Sequence, residues 1–332
     1  MSAMSIHSWS KSVPNLLGIA MSGALLFSPL LHAQSFPERP VKIIVPYGAG
    51  GGADVFARVV GKGLEQEWKQ GVVVDNRAGA SGNIGTLEVV RAKADGYTLL
   101  LQNVSMATNY AIQGRLPYVP ANDLTSILFL GSTPHIIVAH PKISVSNLQE
   151  LMALIQKNPG TYAYGSCGIG SPQHFTMEVL KQTESLDMMH LGYKGCAPAL
   201  TDVVGGQVPV AILSANLAAA YVNTGRLKAI GVTSSRRYGA LPNVPTINEQ
   251  GIKGFDYSGW YALMGPANMP ADVVAKITAG VGKVLDDPAV RKTLDDSGIE
   301  VKRESAEQLS KTIAGDSARY FNLARKLNLK AE

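Results

Sequence analysis

The sequence predicts an α/β protein of two domains, each a mostly parallel sheet flanked by helices, with a ligand cleft between them. Three observations carry this. Strand-like and helix-like patterns alternate from residue 41 to about 233, the order that builds parallel sheets with helices on both faces. The 332 residues are 46% hydrophobic and only 17% charged, which is enough apolar side chain for two cores and too much for global disorder. Two glycine-rich turns, one in each half, fall at strand-to-helix junctions, where open α/β sheets place their ligands.

Residues 41–45 (VKIIV) read as a buried strand. The turn Gly48 to Gly52 then passes into a helix opened by Asp54, with Phe56, Val59, Val60, Gly63, Leu64 and Trp68 on one face at helical spacing. A strand at 72–75, the polar turn NRAGASG, a helix at about 83–93 and a strand at 97–102 follow. The second half brings strands at 127–130 and 135–139, a helix at about 146–157, a strand at 161–166, the turn CGIGS and a helix at about 173–183. Then come a strand at 188–191, the turn YKGCA, a helix at about 197–204, a strand at 208–213, a helix at 215–223 and a strand at 227–233. A Pro-rich linker, an aromatic strand at 257–264 and helices near 271–286, 288–297 and 305–327 close the chain.

The first 33 residues are read as a cleaved export signal. Lys11 precedes Leu16 to Leu31, a stretch without charge, which is interrupted by Pro29 and ends before the small residue Ala33. The run is short for a membrane span, so an uncleaved anchor is the lesser alternative. The mature protein is then expected to be soluble and exported, with a net charge of +4 once Lys11 is removed from a chain of +5. That small excess is spread out and forms no basic arm, so no nucleic-acid partner is expected. Export also argues against cytosolic cofactors such as NAD or ATP, and no cofactor is expected.

In the segment PYGAGGGAD (46–54), glycines let backbone N–H groups approach a ligand, and a following helix N-terminus favours an anion. Gly48, Gly50 and Ala53 fit G-x-G-x-x-A, but no Lys follows to make a P-loop. A plain tight turn, with Asp54 as a helix cap, is the simpler alternative. The segment YGSCGIGSPQH (164–174) repeats the logic: Ser166, Ser171 and free N–H groups could hold a carboxylate without arginine.

Catalytic constellations are weak. Cys167 and His174 could make a thiol–base pair, but nothing in the sequence orients the imidazole, and a structural role for His174 is the simpler reading. No serine sits in G-x-S-x-G, and the six histidines show no metal spacing, so no catalytic or metal residue is assigned. Lys194 could meet an anion or be an ordinary loop lysine. Cys167 and Cys196 fall in turns at one end of the second half, and an oxidising compartment would allow them to pair, although spacing alone does not decide it.

The segments FPERPVKIIVPYGAGGGADVFAR, VVVDNRAGASGNIG, DGYTLLL, YGSCGIGSPQH, YKGCAPALTDVVGGQV, GVTSSRR, LPNVPTINEQG and GWYALMGPANMP together resemble the Bug-type (TctC-like) extracytoplasmic solute receptors, the substrate-binding components of tripartite tricarboxylate transporters. The resemblance spans about 36–328. It implies a type II-like periplasmic binding protein that closes on its ligand, with domain 1 from 34–131 and 232–332 and domain 2 from 132–231. It implies a first clamp at Tyr47, Ala49, Gly50, Gly51, Ala53 and Asp54, and a second at Ser166, Gly168, Gly170, Ser171 and His174. Tyr193, Lys194, Ser132, Thr133 and Ser214 would complete the cleft.

The implied ligands are small organic acids, aromatic carboxylates, amino acids or nicotinamide-like compounds, and the implied partner is a membrane permease. A common Asp-Asn pair of the family is Leu213-Ser214 here, which removes a carboxylate that could meet a ligand amine and so points away from cationic ligands. The frequent Pro before Tyr-Lys-Gly is Gly192. The expected function is therefore periplasmic capture of a small carboxylate for such a permease, not catalysis. A sensor domain feeding a signalling kinase and an exported hydrolase are the alternatives.

Overall fold

A computed structural model describes residues 36–329, and the signal read at residues 1–33 lies outside them. The chain runs β1 (Val41–Val45), α1 (Gly52–Trp68), β2 (Val72–Asn76), a short 3-10 turn, α2 (Asn83–Val90), β3 (Thr98–Asn103), α3 (Ser105–Gln113) and α4 (Pro120–Asp123). It continues with β4 (Leu124–Ala139), α5 (Leu148–Lys157), β5 (Ala163–Ser166), α6 (Pro172–Thr183), β6 (Met189–Gly192), α7 (Cys196–Val204), β7 (Val210–Ser214) and α8 (Ala215–Asn223). It ends with β8 (Lys228–Val232), β9 (Ser258–Pro266), α9 (Ala271–Asp286), α10 (Pro288–Asp296), β10 (Glu300–Glu304) and α11 (Ala306–Lys326). None of these helices is long and apolar enough to cross a membrane.

The strands form one continuous hydrogen-bonded path, β2-β1-β3-β9-β4-β7-β5-β6, with β8 and β10 also paired to β4. Its flanks are parallel, as the alternation of strand and helix requires: β1 pairs with β2 and β3, and β5 pairs with β6 and β7. Its middle is antiparallel, because β9 returns late in the chain to fill the gap between β3 and β4.

Two strands expected at 127–130 and 135–139 are one. β4 runs 16 residues, pairing with β9 from Leu124 to Pro134 and then with β7 from His135 to Ala139. Gly131 and Pro134 look like breaks in the sequence. Both are accommodated: the register shifts beside Gly131, and a Cβ there would meet the Glu300 carbonyl at 2.5 Å.

Side chains alternate across the sheet and are buried on both faces. Val41, Ile43, Val45, Leu99 and Leu101 enter one core while Ile44 and Leu100 enter another. Past the middle of β4 the same rule sends Ile137, Ala139, Val210 and Ile212 to a third core, and Ile136, Val138, Ala211 and Leu213 to a fourth. Helices fill these faces. α1 buries Phe56, Val60 and Leu64 on the first core, and its last turn closes through Lys69, in the left-handed region at φ 55°, whose N–H bonds the Glu65 carbonyl.

Candidate functional site

The carboxyl ends of four parallel strands, and the helices that follow them, face one cavity of about 560 Å³. After β1 the turn Gly48–Gly51 lines it, and Asn103 at the end of β3 and Ser105 just beyond it do too. After β5 it is lined by Cys167 and Ser171, and after β6 by Lys194 to Ala197. The amino ends of α1, α3, α6 and α7 therefore border one space. A smaller cavity of about 340 Å³ continues it, sharing Tyr47, Ser105, Cys167, Ser171, Lys194 and Gly195.

Three of these helix ends lack a cap from the residue before them; at α3 the Ser105 N–H reaches Asn103 Oδ1 at 2.8 Å instead, and the other two follow a glycine. Gly51 precedes α1 and Gly195 precedes α7, and neither offers an oxygen to the first N–H groups. Such N–H groups carry partial positive charge and favour an anion. Among the described residues, Lys194 is the only formal charge on the main cavity's wall, and no aspartate or glutamate lines it. α6 is different: the Ser171 hydroxyl accepts from the His174 N–H at 3.1 Å, and Pro172 has no N–H to offer.

The positions expected to contact ligand separate into two groups. Tyr47, Ala49, Gly50, Gly51, Thr133, Ser171 and Lys194 line the main cavity, and Gly168, Gly170 and Tyr193 line its extension. The others lie off this surface. Ala53 is packed in the first core. Asp54 is buried, and its carboxylate accepts from the Gly50 N–H at 2.9 Å and from Arg58 Nε at 3.0 Å. Burial opposes ionisation of Asp54, but the bonds from Arg58 and Gly50 outweigh it and hold the carboxyl below the usual range. Asp54 thus shapes the turn, in which Gly50 adopts φ 80°, and consumes the Gly50 N–H that the sequence reading had offered to a ligand.

Behind the second turn, Ser166 is fully buried, bonding His190 Nε2 at 2.7 Å and accepting from the Gly168 N–H at 3.2 Å. His174 is buried too, and its Nδ1 accepts from the Gly170 N–H at 3.1 Å. The two imidazoles stack with centroids 3.8 Å apart. Burial pushes both down, His174 to about 4 and His190 to about 3, so both are neutral at pH 7. Ser214 stands at the start of α8 and accepts from Gln173 Nε2 at 3.1 Å. Ser132 lines a different cavity of about 290 Å³ beside α11.

Cys167 and Cys196 form a disulfide that ties the second turn to the start of α7. Cys167 is therefore not a free thiol, and the Cys167–His174 nucleophile arrangement is not present. Tyr47 donates its hydroxyl to Gln102, which in turn donates to Thr86 at 2.9 Å. Burial pushes the Tyr47 phenol well above its ordinary value, so it remains a neutral donor. Tyr193 donates to Asp202 at 2.7 Å, and burial followed by that carboxylate raises it to about 12.

Several wall residues escaped the sequence reading: Asn103, Ser105, His135, Gln173, Trp260 and Tyr261. Asn103 and Ser105 were within reach of it, since they follow the carboxyl end of a predicted parallel strand. Trp260 and Tyr261 lie in the predicted aromatic strand, but its pairing with β4 brings them to the cavity.

The family model for the tripartite tricarboxylate transporter family receptor matches residues 56–329. The chain belongs to this receptor family. Solved structures agree with the assignment. The receptor is 30% identical to the periplasmic binding protein BugD, with a TM-score of 0.79 over 90% of this chain and 100% of that one. It is 27% identical to Rpa4515 of R. palustris, solved with adipate, with a TM-score of 0.82 over 89% and 99% of the two chains. It is also 27% identical to MatC of Rhodopseudomonas palustris, solved with malate, with a TM-score of 0.77 over 87% and 99%. The receptor thus shares the fold of periplasmic solute-binding proteins, and two of these neighbours were solved with a carboxylate.

Proposed function

We propose that this receptor captures a small organic carboxylate in the main cavity and delivers it to the permease of a tripartite tricarboxylate-type transporter. One observation carries the reading: the amino ends of four helices border a cavity whose wall has Lys194 and no acidic side chain. Backbone dipoles, hydroxyls and one lysine suit a carboxylate. An ammonium group would find no counter-charge there. The adipate and malate held by the neighbours support the ligand class, and the family description supports the transporter partner.

In this reading the protein acts in the periplasm after loss of residues 1–33 and performs no chemistry on its ligand. Segments 34–131 with 232–332 form one lobe and 132–231 the other, so that β4 and its neighbours cross between them at the cavity. The ligand contacts are the seven expected residues on the main wall and the three in its extension, while Asp54, Ser166 and His174 position them.

The test is thermal unfolding with a panel of mono-, di- and tricarboxylates and matched amines, followed by native mass spectrometry of protein purified from its host. Stabilisation by carboxylates and not by amines is expected. Absence of stabilisation by every carboxylate, with no anionic species co-purifying, would refute the reading.

A further inference from the structure

We infer that His135 is a specificity-determining residue: its Nε2 is a fixed hydrogen-bond acceptor on the cavity wall, selecting a carboxylate that also bears a neutral hydroxyl or amide donor. The inference rests on the carboxylate reading above and deepens it.

Thr176 decides which ring nitrogen carries the proton. Its hydroxyl has one hydrogen, donated to the Pro172 carbonyl at 2.7 Å. The same oxygen lies 3.2 Å from His135 Nδ1. With its hydrogen committed, Thr176 Oγ1 is the acceptor there and Nδ1–H is the donor. A neutral imidazole has one N–H, so Nε2 keeps a bare lone pair. Burial does hold the ring neutral, pushing His135 down to about 3.

The unprotonated nitrogen lies beside Gly259, a residue of the cavity wall. His135 is only 2% exposed yet lines the cavity wall. Its Nε2 would lie 3.6 Å from a Cβ placed on Gly259, another wall residue, close to Val104. Among the described residues no group donates to it. The neighbouring Thr133 hydroxyl is directed elsewhere, to the Gly298 carbonyl at 3.2 Å.

A ligand filling this end of the cavity must therefore give Nε2 a donor or leave a buried acceptor unmatched. A methylene leaves it unmatched, and a carboxylate oxygen sets acceptor against acceptor. A hydroxyl or amide N–H satisfies it. A cationic donor is disfavoured by the absence of any acidic side chain on the wall. The helix ends would hold the carboxylate and His135 would read the second group. Sites built to bond a ligand donor reject analogues that lack it far more strongly than they reject a missing methylene.

The test is calorimetric titration of the full mature chain with matched pairs: malate and succinate, 3-hydroxybutyrate and butyrate, 4-hydroxybenzoate and benzoate. Wild type should bind the hydroxylated member of at least one pair tighter by about tenfold or more. His135→Leu should reduce that preference to within about threefold, and His135→Gln, which keeps an acceptor oxygen, should retain it. Equal binding within every pair, or a preference that survives His135→Leu, overturns the inference and leaves carboxylate capture standing. Failure to bind any carboxylate overturns both. Long-range proton–nitrogen NMR of unliganded wild type gives a separate check: the proton should sit on Nδ1, and a proton on Nε2 overturns the inference whatever the variants do.

Discussion

The turn that follows β5 depends on a neutral histidine, which makes its acid sensitivity calculable. His174 Nδ1 accepts from the Gly170 N–H at 3.1 Å, and a proton on that nitrogen abolishes the bond. Burial holds the folded imidazole at about 4, with Glu178 opposing and Lys181 reinforcing the shift. An unfolded imidazole titrates near 6.5, so between those values the unfolded chain binds more protons and stability falls as pH falls. Above about 6.5 neither state is charged, and below about 4 both are, so the effect is confined to that window. At about 1.4 kcal/mol per pH unit, the loss attributable to this residue between pH 7.5 and 4.5 is about 2.5 kcal/mol. His190, stacked on His174 and also held low, adds to the slope, and the two titrate as a pair.

The perturbation is His174→Asn, whose Oδ1 can replace Nδ1 as the acceptor for Gly170 but does not titrate. Urea unfolding at pH 7.5 and 4.5, followed by circular dichroism, gives both free energies. The variant should lose about 2.5 kcal/mol less than wild type on acidification, while retaining some slope from His135 and His190. Equal losses in the two proteins would show that His174 is not held neutral by burial.

Two further outcomes follow from the same region. Replacing both Cys167 and Cys196 by serine removes a link between residues 29 apart in sequence, which should cost about 3.5 kcal/mol in urea unfolding if loop entropy dominates; a change below about 1 kcal/mol would contradict that account. Gly168→Ala forces a side chain onto a residue at φ 138° with its Cβ 2.9 Å from the Tyr193 carbonyl, so it should cost about 1–3 kcal/mol and weaken carboxylate affinity. Wild-type unfolding and binding in this variant would mean that the turn tolerates rearrangement.

Much of this molecule was legible in its residues because the signals are local. The short apolar runs in VKIIV, YTLLLQ and HIIVA placed buried strands, and helical spacing placed the α1 face. Glycines at strand ends marked the turns that line the cavity. Local signals also misled at two places. Residues 127–130 and 135–139 read as two strands, yet pairing with β9 carries β4 through Gly131 and Pro134 between them. Asp54 looked like a ligand or a cap, but Arg58 and Gly50 turn its carboxylate inward.

By itself the sequence determined most of the order of strands and helices, though not α3, α4 or β10, and the chemistry of the turns, since periodicity and backbone preference act over a few residues. Only the tertiary structure decided which turns share a cavity, whether the cysteines pair, and which nitrogen of His135 is bare. These depend on groups far apart in the chain: Cys167 with Cys196, and His135 with Thr176, 41 residues away. No local pattern encodes such distances; packing of the whole sheet sets them.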